Sequence, residues 1–183
     1  MIPPRLIRLQ RRRRGRLRPR VILALTMLGF GCVGFTTFVR PAPLLLWNAS
    51  ASAPIGLYRV IAATPIRRGD LVLIRAPDTV RDLAAARGYL PLSVPLVKRV
   101  SALAGDVVCI LDDEVIVDGE TVARRLKRDH LGRPLPCWEG CRTLHADEVF
   151  LLMAGVPDSF DSRYFGPVLL SAVIGRLVPL WTE

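Results

Sequence analysis

Nineteen consecutive residues without a charge, Val21 to Val39, constrain this chain more than any other feature. A helix rises about 1.5 Å per residue, so a run of this length matches the roughly 30 Å hydrocarbon core of a bilayer. Nine arginines and no acid lie in residues 1–20, and Arg40 alone follows the run. Cytoplasmic flanks carry the excess of basic residues, so this asymmetry puts the N-terminus in the cytoplasm. A cleaved secretory peptide would have an apolar region of about 7–15 residues and a small-x-small site. Here the run is longer and ends in Thr-Thr-Phe-Val-Arg-Pro, with bulky residues. The sequence therefore predicts a basic cytoplasmic tail (1–20), a single transmembrane helix (21–39) and a domain beyond it.

The net charge of +10 suggests nucleic acid until it is located. Residues 41–183 hold 16 Lys+Arg against 16 Asp+Glu, so the excess is the tail alone. No specific nucleic-acid partner follows; a polybasic tail beside a span can meet anionic membrane lipid instead. The following domain is expected to lie in the periplasm, the protein being single-pass in the inner membrane. Disulfides can form in that compartment. Cys32 lies in the span as a small apolar packer, leaving Cys109, Cys137 and Cys141: one bridge and one free thiol. Zinc is not indicated, because Cys137-x3-Cys141 has no second matched pair and His130 and His145 are singletons. No cofactor is implied.

Short apolar segments separated by turn signals predict a mainly β domain. Residues 40–56 read as an extended connector. Strands are expected at 57–62, 71–74, 96–100, 107–111, 148–153 and 168–178. A hairpin is expected at 114–123 with Asp118-Gly119 at its tip. One short helix is expected at 79–87, capped by Asp78 or Thr79 and stopped by Gly88. Residues 124–144, polar and rich in Pro and Gly, read as a long loop.

Three sites carry chemistry. Ser52 lies in Ser50-Ala51-Ser52-Ala53-Pro54-Ile55-Gly56, where Pro54 fixes the backbone and Gly56 frees it. Serine needs a base within hydrogen-bond reach to act as a nucleophile. Alone, this stretch reads equally as a linker. Lys98 lies in the apolar pattern Pro95-Leu96-Val97-Lys98-Arg99-Val100. The domain has only two lysines, Lys98 and Lys127, against fourteen arginines. Lysine loses its proton when desolvated and arginine does not, so the choice fits a buried base; a snorkelling strand residue is the other reading. The third site, Asp158-Ser159-Phe160-Asp161-Ser162-Arg163-Tyr164-Phe165-Gly166, is dense enough in polar groups to orient a base, or to be a turn with a surface ion pair. Neither histidine has comparable surroundings, which disfavours a Ser-His-Asp triad.

Together these residues resemble the signal peptidase I superfamily: an anchor, a Ser-x-Pro turn, a Lys-Arg strand followed by Gly-Asp, and Asp-Ser-Arg-x-aromatic-Gly. The finer likeness is to TraF-type conjugative transfer signal peptidases, carried by Asn48 to Tyr58, Leu96 to Val100, Gly132-Arg133-Pro134-Leu135-Pro136, Trp138-Glu139-Gly140-Cys141 and Ser162 to Pro167. It spans about residues 44–181, the expected catalytic unit, with the periplasmic domain at 57–183. Ala53 stands where housekeeping signal peptidases usually have methionine, the terminal box is shortened, and no large second domain is inserted. These departures fit the compact TraF type.

The resemblance implies a signal-peptidase-like β-sheet fold and a Ser-Lys serine endopeptidase. Ser52 would be the nucleophile and Lys98 the general base, the Ser52 N–H and the Ser50 hydroxyl would face the oxyanion, Ser159 would orient the lysine amine, and Asp161 and Arg163 would brace the site. The implied substrate is a pilin precursor or another exported protein, released by hydrolysis or by cyclisation. Other conjugation or type IV secretion components are candidate partners. The family-like positions favour a Cys109–Cys141 disulfide, with Cys137–Cys141 the alternative. A housekeeping signal peptidase and a non-catalytic assembly protein of the transfer channel are the competing functions.

Overall fold

The computed structural model describes residues 18–38 and 43–183. The basic tail through residue 17 and the junction at residues 39–42 lie outside the described residues. The chain divides into two units, residues 1–41 and 42–183.

In the first unit, α1 (Pro19–Phe38) is a 20-residue helix. Its apolar side chains are exposed rather than gathered on one face, Leu23, Leu28, Phe30 and Val33 among them. Thr26 donates its hydroxyl to the carbonyl of Ile22 at 2.9 Å, so its polar atom is satisfied within the helix. Among the described residues no helix is long and apolar enough to cross a membrane. The apolar sequence run continues to Val39, outside the described residues.

The second unit is mainly β, as expected. A seven-stranded antiparallel sheet runs in the order β1-β2-β11-β3-β4-β9-β10. Its strands are β1 (Leu45–Asn48), β2 (Gly56–Ile61), β3 (Leu71–Ile74), β4 (Leu96–Ala102), β9 (Glu148–Leu152), β10 (Val168–Leu169) and β11 (Val173–Thr182). A four-stranded antiparallel sheet, β7-β6-β5-β8, joins β5 (Val107–Leu111), β6 (Glu114–Val117), β7 (Glu120–Arg124) and β8 (Gly140–Thr143). Side chains alternate across a strand, so the large sheet buries apolar residues on both faces. Tyr58, Leu71, Leu73 and Val97 fill one core, and Val72, Ile74, Val100 and Leu151 fill another. Val108, Ile110, Val115 and Phe150 close the small sheet against the large one. Lys98 emerges among these apolar neighbours, opposite Val72 of β3.

Gly56 is required where β2 meets β11. Its φ is 155°, and a Cβ there would sit 2.1 Å from the Trp181 carbonyl oxygen. The strand that follows the serine turn can therefore lie close against the last strand only with glycine at this position.

Cys109 and Cys141 face each other across β5 and β8 and form the expected disulfide. Cys137 is a free, exposed thiol, as is Cys32.

Four segments differ from their expected form. The 40–56 connector contains β1, which pairs with β2 and so belongs to the sheet. α2 (Asp78–Ala86) begins at Asp78 itself, with Pro77 at the cap and no side-chain capping bond. The 124–144 loop holds β8, which owes its strand form to pairing with β5, and a bridge between Arg128 and Pro134. The 168–178 strand breaks at a 3₁₀ turn over Leu170–Ala172, where the Leu170 N–H turns to the Asp147 carbonyl and the Ala172 carbonyl accepts from Arg75. β11 then runs on to Thr182.

Candidate active site

The serine turn is built on Asn48, a residue given no role from sequence. Asn48 ends β1 and is only 4% exposed. Its Nδ2 lies 3.0, 3.1 and 3.0 Å from the carbonyl oxygens of Ser50, Ala53 and Pro54, and its Oδ1 accepts from the Ser50 N–H at 3.1 Å. Tyr58 donates its hydroxyl to the Pro54 carbonyl at 2.7 Å. One side chain thus holds the whole loop, because short amides bond readily to nearby backbone and stabilise turns. The signal available in the sequence was an Asx residue two positions before a Ser-rich turn. Removing the amide leaves several carbonyls short of a partner, at about 1–3 kcal/mol for each that stays buried. Asn48→Ala should lower stability by about 2 kcal/mol in urea unfolding and slow any chemistry at Ser52 at least tenfold.

Within the turn, the Ser50 and Ser52 hydroxyls are 2.8 Å apart, and the Ser52 N–H points at Ser50 Oγ at 3.3 Å. Ser52 is half-buried. Both serines line a cavity of about 650 Å³ that also receives Lys98, Asp158 and Ser159.

Lys98 is 3% exposed. It donates from Nζ to Ser159 Oγ at 2.6 Å, and Ser159 is itself buried. Burial disfavours the ammonium and brings its pKa down to about 8; the Asp161 carboxylate works against this, Arg163 adds to it, and Asp158 works against it. A neutral amine is therefore accessible near physiological pH, which would not hold for a lysine in water.

Asp161 and Arg163 form no surface pair; both are completely buried. Asp161 caps the short helix α3 (Ser162–Phe165), accepting from the Arg163 N–H at 3.2 Å, and it also accepts from the Met153 N–H at 3.0 Å. Arg163 meets Asp161 in a fork, Nε to Oδ1 at 2.8 Å and Nη2 to Oδ2 at 3.1 Å. Its remaining donors reach the carbonyls of Met153, Pro157 and Arg124. A planar guanidinium supplies this many fixed donors, whereas lysine could not. The pair fixes the segment that carries Ser159 rather than bordering the cavity itself. Ser162 accepts from the Leu151 N–H, and Trp138 donates to the Ser162 carbonyl at 3.0 Å.

The structure thus brings Ser50, Ser52, Lys98 and Ser159 to one cavity and sets Asp161 and Arg163 behind it. Chemically the arrangement offers a hydroxyl on a fixed turn, a desolvated amine and a hydroxyl that orients the amine.

The family model for signal peptidase, peptidase S26, matches residues 17–181. A plasmid transfer protein TraF from Escherichia coli is 37% identical over 145 residues, covering 74% of this chain and 81% of that protein. A probable conjugal transfer protein TraF from Sinorhizobium fredii is 35% identical over 176 residues, covering 90% of this chain and 89% of that protein. The solved structure of a signal peptidase I from Enterococcus faecalis aligns with 63% of this chain and 98% of that one, at 20% identity and a TM-score of 0.39.

Proposed function

The chain belongs to the signal peptidase S26 family, with TraF conjugal transfer proteins among its relatives, and from that premise we propose that it is a serine endopeptidase in which Ser52 and Lys98 form the catalytic dyad. The observation that carries this reading is the buried Lys98 amine, held by Ser159 and opening on the same cavity as Ser52.

In this reading the neutral Lys98 takes the Ser52 Oγ proton as Oγ bonds to the scissile carbonyl carbon. Lys98 then gives that proton to the leaving amine as the C–N bond breaks. Water, or the substrate's own N-terminal amine, then attacks the acyl-enzyme carbonyl and gives its proton to Lys98, which returns it to Ser52 Oγ as the ester C–O bond breaks; water releases the free acid and the amine closes a cyclic peptide. The carbonyl oxygen, negative in the tetrahedral intermediate, exchanges for the contact now made between the Ser52 N–H and the Ser50 hydroxyl; one such donor is typically worth about 10²–10³ in rate. Ser159 holds the amine in line, and Asp161 with Arg163 fixes Ser159.

The substrate class is an exported protein, and the TraF likeness favours a conjugative pilin precursor. The uncharged run from Val21 to Val39 acts as a single-pass anchor in the inner membrane, with the arginine-rich tail in the cytoplasm and the peptidase unit in the periplasm. Ser52 follows that run by thirteen residues, at most about 45 Å of extended chain, a reach suited to membrane-borne precursors.

A serine-directed acylating probe tests the peptidase reading against an inert assembly protein. The full-length chain in detergent should take up one acyl group on Ser52, located by peptide mass mapping, and Ser52→Ala should take up none. A chain that stays unlabelled contradicts the proposal.

A further inference from the structure

The Gly132-Arg133-Pro134-Leu135-Pro136 motif has no part in the chemistry above, yet its loop borders the same cavity. Leu126, Asp129 and Leu135 line it, together with Tyr89 and Leu90 just beyond α2. Asp129 is the centre of this wall. It accepts from the Tyr89 hydroxyl at 2.5 Å, from Arg133 Nε at 2.6 Å, and from the N–H groups of Leu131 and Arg133, each at 2.9 Å. Burial works to raise its pKa, but these bonds outweigh it and hold the carboxyl well below the usual carboxylate range.

The same loop is tied to the end of α2 from both sides. Arg133 Nη2 donates to the Arg87 carbonyl at 3.2 Å, and Arg87 Nη1 donates to the Pro134 carbonyl at 2.8 Å. The Arg133 guanidinium lies over the Tyr89 ring, 5.5 Å from its centroid. The Tyr89 ring in turn packs 5.4 Å from Phe160, the residue after Ser159. An exposed loop is ordinarily mobile and loosely bonded; this one is locked to a helix end more than forty residues away. Four apolar side chains, Leu90, Leu126, Leu135 and Phe160, meet on the cavity here, beside the polar Arg128, Asp129 and His130 of the same loop. The cavity as a whole, with Ser52 and Lys98 also on it, is about 650 Å³, which leaves room for a substrate side chain beside the reacting groups.

We infer that residues 126–135 and the end of α2 form a clasp that fixes an apolar pocket for a bulky side chain of the substrate, with Arg133 as the positioning residue. This rests on the peptidase reading and assigns its specificity. Arg133 acts through Asp129 and Tyr89 and is not itself on the cavity. An apolar pocket of this kind discriminates by roughly 10–200-fold.

The test uses the full-length protein in detergent and quenched-fluorescent peptides, each position flanking the scissile bond carrying in turn Ala, Leu, Phe, Lys or Glu. The wild type should prefer Leu or Phe to Lys and Glu at one position by at least about tenfold in kcat/KM. Arg133→Gln should erase most of that preference through KM, with kcat changing less than about threefold. Arg133→Lys, which keeps the charge but not the fork, should fall between the two. Tyr89→Phe keeps the ring and takes away the hydroxyl that holds Asp129, and it decides the matter if the Arg133 variants do not fold. An unchanged preference in the variants that fold, or a loss confined to kcat, overturns the clasp. A wild type that cleaves with no apolar preference also overturns it and leaves the peptidase reading intact. A wild type that neither cleaves nor labels at Ser52 overturns both.

Discussion

Replacing Lys98 by methionine should abolish precursor processing and at the same time make the protein more stable. Ser52→Ala should abolish processing as well, without the gain in stability, and Lys127→Ala should leave it intact because that side chain is exposed and paired with Asp113. Loss of a catalytic nucleophile or its base costs several orders of magnitude in rate. The stability gain follows from the direction of the Lys98 shift. Its folded pKa, about 8, lies below the ordinary value of 10.5. Between those two pH values the unfolded chain holds a proton that the folded chain has released, so stability rises with pH across that window. Below pH 8 the full cost of keeping an ammonium in an apolar site is present, roughly 3 kcal/mol. Methionine has similar length and no charge to bury. It removes that cost, less about 1 kcal/mol for the Ser159 hydroxyl left without its partner. At pH 7 the net gain should be about 2 kcal/mol, or several degrees in Tm, and it should shrink as pH approaches 10. A destabilised Lys98→Met protein at pH 7 would contradict the burial argument.

Asp161→Ala should be among the most damaging substitutions in the chain, although Asp161 does not border the cavity. It strands the Arg163 guanidinium, which is fully buried. Removing one member of such a pair typically costs about 3–5 kcal/mol, whereas replacing both by apolar residues of similar volume is often neutral. Asp161→Leu with Arg163→Met should therefore unfold at higher urea concentration than Asp161→Ala alone. The double variant should still process poorly, because the donors that fix the carbonyls of Met153 and Pro157, and with them the segment carrying Ser159, are gone. Urea unfolding and processing assays on the three proteins separate the two roles. Full stability in Asp161→Ala would show that the pair is not structurally important.

These expectations rest on residues that differ in how far sequence alone revealed them. Leu71–Ile74 and Val107–Leu111 were legible because each is a short apolar run bounded by turn residues. The hairpin expected at 114–123 was legible from its Asp118-Gly119 tip, and both residues adopt the positive φ that such a tip allows. Lys98 stood out because a domain that otherwise uses arginine has little reason to place lysine in an apolar strand. Asn48 was hidden because its bonds run to the backbone of the next six residues, a pattern that no side-chain periodicity reports. The burial of Asp161 and Arg163 was hidden for a related reason: two charges two residues apart look the same on a surface turn as in a core. The clasp was the least legible. Asp129 and Arg133 sit in what reads as a solvated loop, and their partner Tyr89 is forty residues earlier, across a contact that only the tertiary fold makes.

The pH dependence of Ser52 acylation tests most directly whether Lys98 is the base that activates Ser52. The labelling rate of the wild type should rise with pH and level off above a midpoint near 8, and Lys98→Met should label at least a thousandfold more slowly at every pH. Labelling of Lys98→Met at the wild-type rate, or a wild-type rate that is flat between pH 6 and 10, would contradict the dyad.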